Sequence, residues 1–140
     1  MIRSVSRIEK TTMQKKFLFL FLSKILFFSL IATAQSKPEF RAVWVATVDN
    51  IDWPSRGNYN SDSQKVEFTK LLNMHQRNGI NAVIVQVRPV TDAFYPSQYE
   101  PWSEWLTGTQ GQPPSPYYDP LQFMIEETHK RGIEFHAWLN

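Results

Sequence analysis

Three polar residues follow apolar runs in this chain: Asp49 after 40–48, Arg88 after 80–87 and Asn140 after 133–139. A polar group at such a boundary costs desolvation if it is merely structural, so each is a candidate for ligand contact. Asp92, Glu100 and Glu104 lie a little downstream of Arg88, and His136 and Trp138 share one face of the third run. Hydrolysis of a glycosidic bond needs two carboxyl groups, one as acid and one as nucleophile or base. Asp49, Asp92, Glu100 and Glu104 offer carboxyls, but no spacing fixes a pair, so the catalytic residues stay unassigned. His136 has no second His or Cys at ligand spacing, and no metal or cofactor is expected.

Aromatic residues crowd the same segments. Trp53 and Tyr59 lie in 49–60, and Phe94, Tyr95, Tyr99, Trp102, Trp105, Tyr117 and Tyr118 lie in 88–118. Sugar rings present apolar C–H faces that stack on aromatic planes, while their hydroxyls seek carboxylate, amide and guanidinium partners. The expected carbohydrate-contacting set is Asp49, Trp53, Arg88, Asp92, Tyr95, Trp102, His136, Trp138 and Asn140. The competing expectation for any one aromatic is that it packs the long loop as a small core with its polar tip exposed. For Arg88 it is a buried salt bridge.

The elements that would position these groups follow from periodicity. Residues 40–48, 80–87 and 133–139 are near-continuous apolar, β-branched and aromatic runs, as strands buried on both faces require. Between them, Ser61-Asp62-Ser63-Gln64 predicts a capping box opening a helix with Phe68, Leu71, Leu72 and His75 on one face. Asp119-Pro120 predicts a second helix start, with Leu121, Met124, Ile125 and Thr128 inside. Gly79 and Gly132 end the helices directly before strands. The order β-α-β-α-β implies repeated βα units around a parallel sheet. The connections before strands are minimal, whereas 49–60 and 88–118 are long, and a loop of roughly 30 residues is uncommon unless it binds or covers something. In a parallel α/β barrel such loops form the functional face.

Charge separates the chain into two regions. Up to Ala34 there are six Lys/Arg against Glu9 alone; from Gln35 onward there are nine Lys/Arg against twelve Asp/Glu, a net charge of −3. The second region has no clustered basic face, so nucleic acid is not an expected partner. Residues 1–34 read as a signal peptide: Lys15-Lys16, an apolar stretch from Phe17, and the small-x-small pattern Ala32-Thr33-Ala34. Cleavage before Gln35 would leave no stable membrane insertion and an exported, periplasmic or secreted bacterial protein. The chain has no cysteine, which excludes disulfides and a lipid anchor at the cleavage site.

Four stretches together carry a resemblance. Phe40-Arg41-Ala42-Val43-Trp44-Val45-Ala46-Thr47-Val48-Asp49-Asn50-Ile51-Asp52-Trp53-Pro54, Asn81 to Pro89, Asp92-Ala93-Phe94-Tyr95 and Phe135-His136-Ala137-Trp138-Leu139-Asn140 resemble the glycosyl-hydrolase-like family 10 domain of bacterial exported proteins. The resemblance covers 39–140. It implies a (β/α)8 TIM-type barrel, hydrolysis of O-glycosyl bonds, and bacterial cell-wall glycan (peptidoglycan) as a substrate of some members. It also implies substrate-binding roles for Asp49, Arg88, His136 and Asn140, with catalytic acids on strand ends beyond Asn140. A complete barrel takes about 250 residues, so 35–140 is expected to be an incomplete, N-terminal part of one, inactive by itself. A non-catalytic carbohydrate-binding protein and a truncated, aggregation-prone product remain the alternatives.

Overall fold

In the computed structural model, residues 39–140 are described, together with Leu18, Phe19, Phe21 and Ser23. The chain divides into two units, 1–39 and 40–140. In the first, the four named residues are helical; the expected leader and its cleavage site otherwise lie outside the described residues.

The second unit runs β1 (Ala42–Val45), a 3-10 turn (Val48–Asn50), α1 (Ser61–Arg77), β2 (Ala82–Arg88), α2 (Glu104–Thr107), α3 (Pro120–His129) and β3 (Glu134–Leu139). The strands form one sheet in the order β1-β2-β3, and both pairings are parallel. The register sets Trp44 beside Ile84 and Ile84 beside His136. It becomes irregular between Gln86 and Arg88, at the end of β2. This is the α/β arrangement that the sequence pattern implies, and it is compatible with part of a TIM-like domain.

Alternation along each strand decides which face is covered. Val43, Val45, Val83, Val85, Val87 and Phe135 join one hydrophobic cluster with Phe68 and Leu72 of α1 and Met124 of α3. Each fully buried side chain of this kind contributes roughly 1.5–3 kcal/mol. The helices are also tied to each other, because Arg131 donates to Asn73 Oδ1 at 2.7 Å and Gln76 donates to the Arg131 carbonyl at 2.9 Å. The opposite face carries Trp44, His136 and Trp138, with Trp44 63% exposed. Phe40 meets His136 edge-on at 5.7 Å, and Trp44 meets Trp138 edge-on at 5.1 Å.

Helix boundaries correct one local expectation. Asn60, not Ser61, caps α1: its side chain accepts from the Ser63 amide at 2.9 Å, and Ser61 is already helical. Gln64 does not turn back to close a capping box. Its side chain is buried and reaches out to both long loops. At the other helix the expectation matches the structure, with Asp119 accepting from the Gln122 amide and Pro120 in the first turn. Gly79 and Gly132 have φ of +74° and +68°, as residues closing a helix in the left-handed region must tolerate. The long loop 88–118 is not free of regular structure: Ser103 caps the single turn of α2, and Gly108 ends it. Four residues are too few to show a period in sequence.

Candidate functional site

The long loops leave the C-terminal ends of β1 and β2, as the length asymmetry implied. At the end of β1, Asp49 and Asn50 both adopt φ of +53°. The left-handed region disfavours most side chains, and Asp and Asn are the types that tolerate it. The turn is tied on several sides. Gln86 Oε1 accepts from the Thr47 and Val48 amides at 3.0 Å each, and Asp52 Oδ2 accepts from the Ala46 amide at 2.8 Å. Asn50 donates to the Trp105 carbonyl at 2.7 Å. The Asp49 carboxylate stays exposed and pairs with the exposed Arg56, an ion pair that water screens and that contributes little to stability.

At the end of β2, the Arg88 guanidinium pairs with Glu100, and both side chains are mostly buried. Glu100 also accepts from Ser97 Oγ at 3.0 Å, and Ser97 Oγ in turn accepts from the Tyr99 and Glu100 amides. Arg88 therefore shapes the loop through a salt bridge, the competing expectation for this residue. Its Nε is buried without a partner. Thr91 has φ of +54°, which is strained for a β-branched residue. Beside it, Asp92 is fully buried; Oδ1 accepts from the Val90 amide at 3.0 Å, and Oδ2 has no partner.

The third strand end closes against the second. The Asn140 amide donates to the Arg88 carbonyl at 3.1 Å, and its side-chain Nδ2 donates to the Pro89 carbonyl at 3.0 Å. Its Oδ1 accepts from Trp138 Nε1 at 2.7 Å. Both polar atoms of Asn140 are thus engaged within the protein. His136 lies on the uncovered sheet face, 3.3 Å from Glu134 Oε2.

Two of the expected contact residues are placed elsewhere than at a surface. Trp53 is 1% exposed and packs against Phe68 and Phe94 at 5.3 and 5.9 Å, with its indole N–H donating to the Gln64 carbonyl at 3.0 Å. It is a core residue and offers no face to a sugar. Asp92 is equally inaccessible and acts on its own loop. Tyr95 and Trp102 are partly buried against the core. A single sequence cannot distinguish a loop aromatic facing inward from one facing outward, because loops have no period.

The accessible aromatics of the two long loops are Tyr59, Tyr99 and Tyr117. Tyr99 is 91%, Tyr117 65% and Tyr59 47% exposed. Tyr117 meets Trp102 edge-on at 6.3 Å, which couples one exposed ring to one half-buried ring. Tyr118 turns inward; its hydroxyl donates to Gln64 Oε1 at 3.0 Å, and Lys65 lies 4.5 Å above its ring. Burial first, and the Asp119 charge second, push its phenol well above the usual range. Sequence spacing places Gln64 in a capping box and assigns Gln86 no role, although each anchors a loop. The available signal for Gln86 was a lone polar residue inside the apolar run Val83 to Val87.

Among the described residues, no group of three His, Asp or Glu could hold a metal ion, and no helix is long and apolar enough to cross a membrane.

A parallel α/β unit with elaborated loops at the strand C-termini is the class that fold and site define. The family model described as Glycosyl hydrolase-like 10 matches residues 39–140, and the chain belongs to that family. It is 62% identical over 110 residues to Glycosyl hydrolase YngK of Bacillus subtilis (strain 168), covering 79% of this chain and 21% of that protein. It is 43% identical over 115 residues to Glycosyl hydrolase DigH of Escherichia coli (strain K12), covering 77% of this chain and 26% of that protein. The DigH of Shigella flexneri matches to the same extent. The chain thus spans about a fifth to a quarter of the length of these relatives.

Proposed function

We propose that this chain supplies the first βα units of a (β/α)8 barrel in an exported glycoside hydrolase, and that its strand-end loops bind a polysaccharide. The favoured substrate is bacterial cell-wall glycan. The observation that carries this reading is the convergence of polar and aromatic groups on the loops after β1 and β2. Asp49 is exposed beside Arg56, Tyr59 and Tyr117 are exposed, and the opposite connections are short turns. Family membership and the names of the relatives support hydrolysis of glycosidic bonds as the activity of the whole protein. The Lys-rich start, apolar stretch and Ala32-Thr33-Ala34 pattern support export through a cleaved leader.

A non-catalytic, binding role for this part of the chain has its own support. Glu100 is bridged to Arg88 and Asp92 is buried, so these two carboxyls already have structural duties. The test is to incubate a full-length relative with cell-wall glycan stripped of its peptides and to measure new reducing ends. Release of sugar products supports the hydrolase. Retained binding without release would overturn it in favour of a binding protein.

A further inference from the structure

Gln86 does more than fill the sheet. Strand β1 pairs with β2 as far as Val45 opposite Val85, and then the chain turns away. The next amides would lose their sheet partners there, and a buried amide without a partner is costly. Gln86 supplies the partner: one side-chain oxygen accepts from both Thr47 and Val48 at 3.0 Å. The Thr47 hydroxyl donates back to the Gln86 carbonyl at 2.8 Å, and both residues are buried. These three bonds fasten the turn immediately before the left-handed pair Asp49 and Asn50. Strain of that kind persists only where the surroundings over-determine it.

The position on β2 matters as much as the bonds. Gln86 stands two residues before Arg88, so one short stretch of β2 carries both the anchor of the Asp49 turn and the base of the second loop. The placement of Asp49 relative to Arg88 therefore depends on Gln86. We propose that Gln86 is a positioning residue of the strand-end site, holding the Asp49 carboxylate in register with the Arg88 loop for glycan contact. This rests on the glycan reading above. Gln86 itself is buried and touches no ligand.

The full chain and its Gln86→Leu, Gln86→Glu, Asp49→Ala and Gln86→Leu/Asp49→Ala variants are titrated with peptide-free cell-wall glycan strands, and amide hydrogen exchange is followed in parallel. Gln86→Leu should weaken binding about tenfold, the equivalent of one well-placed hydrogen bond. That loss should vanish in the Asp49→Ala background, and Gln86→Glu, which keeps the acceptor oxygen, should restore binding. Exchange should quicken at 47–50 and not in α3. An equal loss with and without Asp49, or exchange that quickens throughout, would make Gln86 an ordinary core residue and overturn the proposal. If the wild-type chain binds no glycan, the glycan reading fails separately, and exchange decides about Gln86. Quickening confined to 47–50 then upholds it as the anchor of the turn; unchanged exchange at Thr47 and Val48 overturns it.

Discussion

Replacing Gln64 with Leu should destabilise the domain by about 2–3 kcal/mol, although the residue lies near the start of a helix where substitutions are usually tolerated. Its side chain donates to the Asn58 carbonyl at 2.8 Å and to the Leu106 carbonyl at 2.7 Å, and accepts from the Tyr118 hydroxyl at 3.0 Å. One side chain thus ties the first long loop, the second long loop and the approach to α3 to α1. Leucine keeps the volume and removes all three bonds. Asn58 is only partly buried, so water can satisfy its carbonyl, whereas Leu106 and Tyr118 are buried. Two buried groups left without partners cost about 1–3 kcal/mol each, offset in part by the apolar gain of leucine. The backbone carbonyl of Gln64 still accepts from Trp53, so the loss isolates the side chain. Urea unfolding followed by tryptophan fluorescence at low protein concentration should show a lower midpoint with an unchanged slope. Tyr118→Phe removes one of the three bonds, so Gln64→Leu should cost about 1 kcal/mol less in that background. A Gln64→Leu loss below about 0.5 kcal/mol, the scale of an ordinary surface substitution, would refute the reasoning.

Trp53→Ala should cost about 3–5 kcal/mol, as a buried large-to-small change does, while Tyr117→Ala should leave the urea midpoint almost unmoved and weaken glycan binding. The reverse ranking would show that the loop aromatics have been assigned to the wrong sides. The Glu127 carboxyl is held below its ordinary value of 4.5, first by a hydrogen bond from Lys130 and then by one from Arg131. A depressed carboxyl stabilises the fold fully above its unfolded pKa and loses that contribution as pH falls through the folded value. Stability should therefore decline below pH 4.5 more steeply in the wild type than in Glu127→Gln; parallel acid limbs would remove Glu127 from the account.

The order of elements was legible because each strand is a compact apolar run and each helix ends at a glycine that tolerates positive φ. The start of α1 was less so. Asn60 and Ser61 are both good caps, and Gln64 three residues beyond Ser61 made a capping box attractive. The structure uses Gln64 for tertiary bonds that local spacing does not reveal. Arg88 stands 12 residues from Glu100, and that pairing depends on how the loop folds back, so sequence could offer only a generic salt bridge. Trp53 and Asp92 have residue types suited to sugar contact, yet burial assigns them to the interior. The expectations of export and substrate rest on other features: the sequence pattern of residues 1–34, most of which lie outside the described residues, and the chemistry of the strand-end loops.

The most direct test of the central claim is a titration of the full chain with peptide-free cell-wall glycan strands, alongside its Asp49→Ala and Tyr117→Ala variants. The account predicts saturable binding by the wild type, without release of reducing ends, and weaker binding by both variants. An absence of binding, or binding that neither substitution affects, would contradict it.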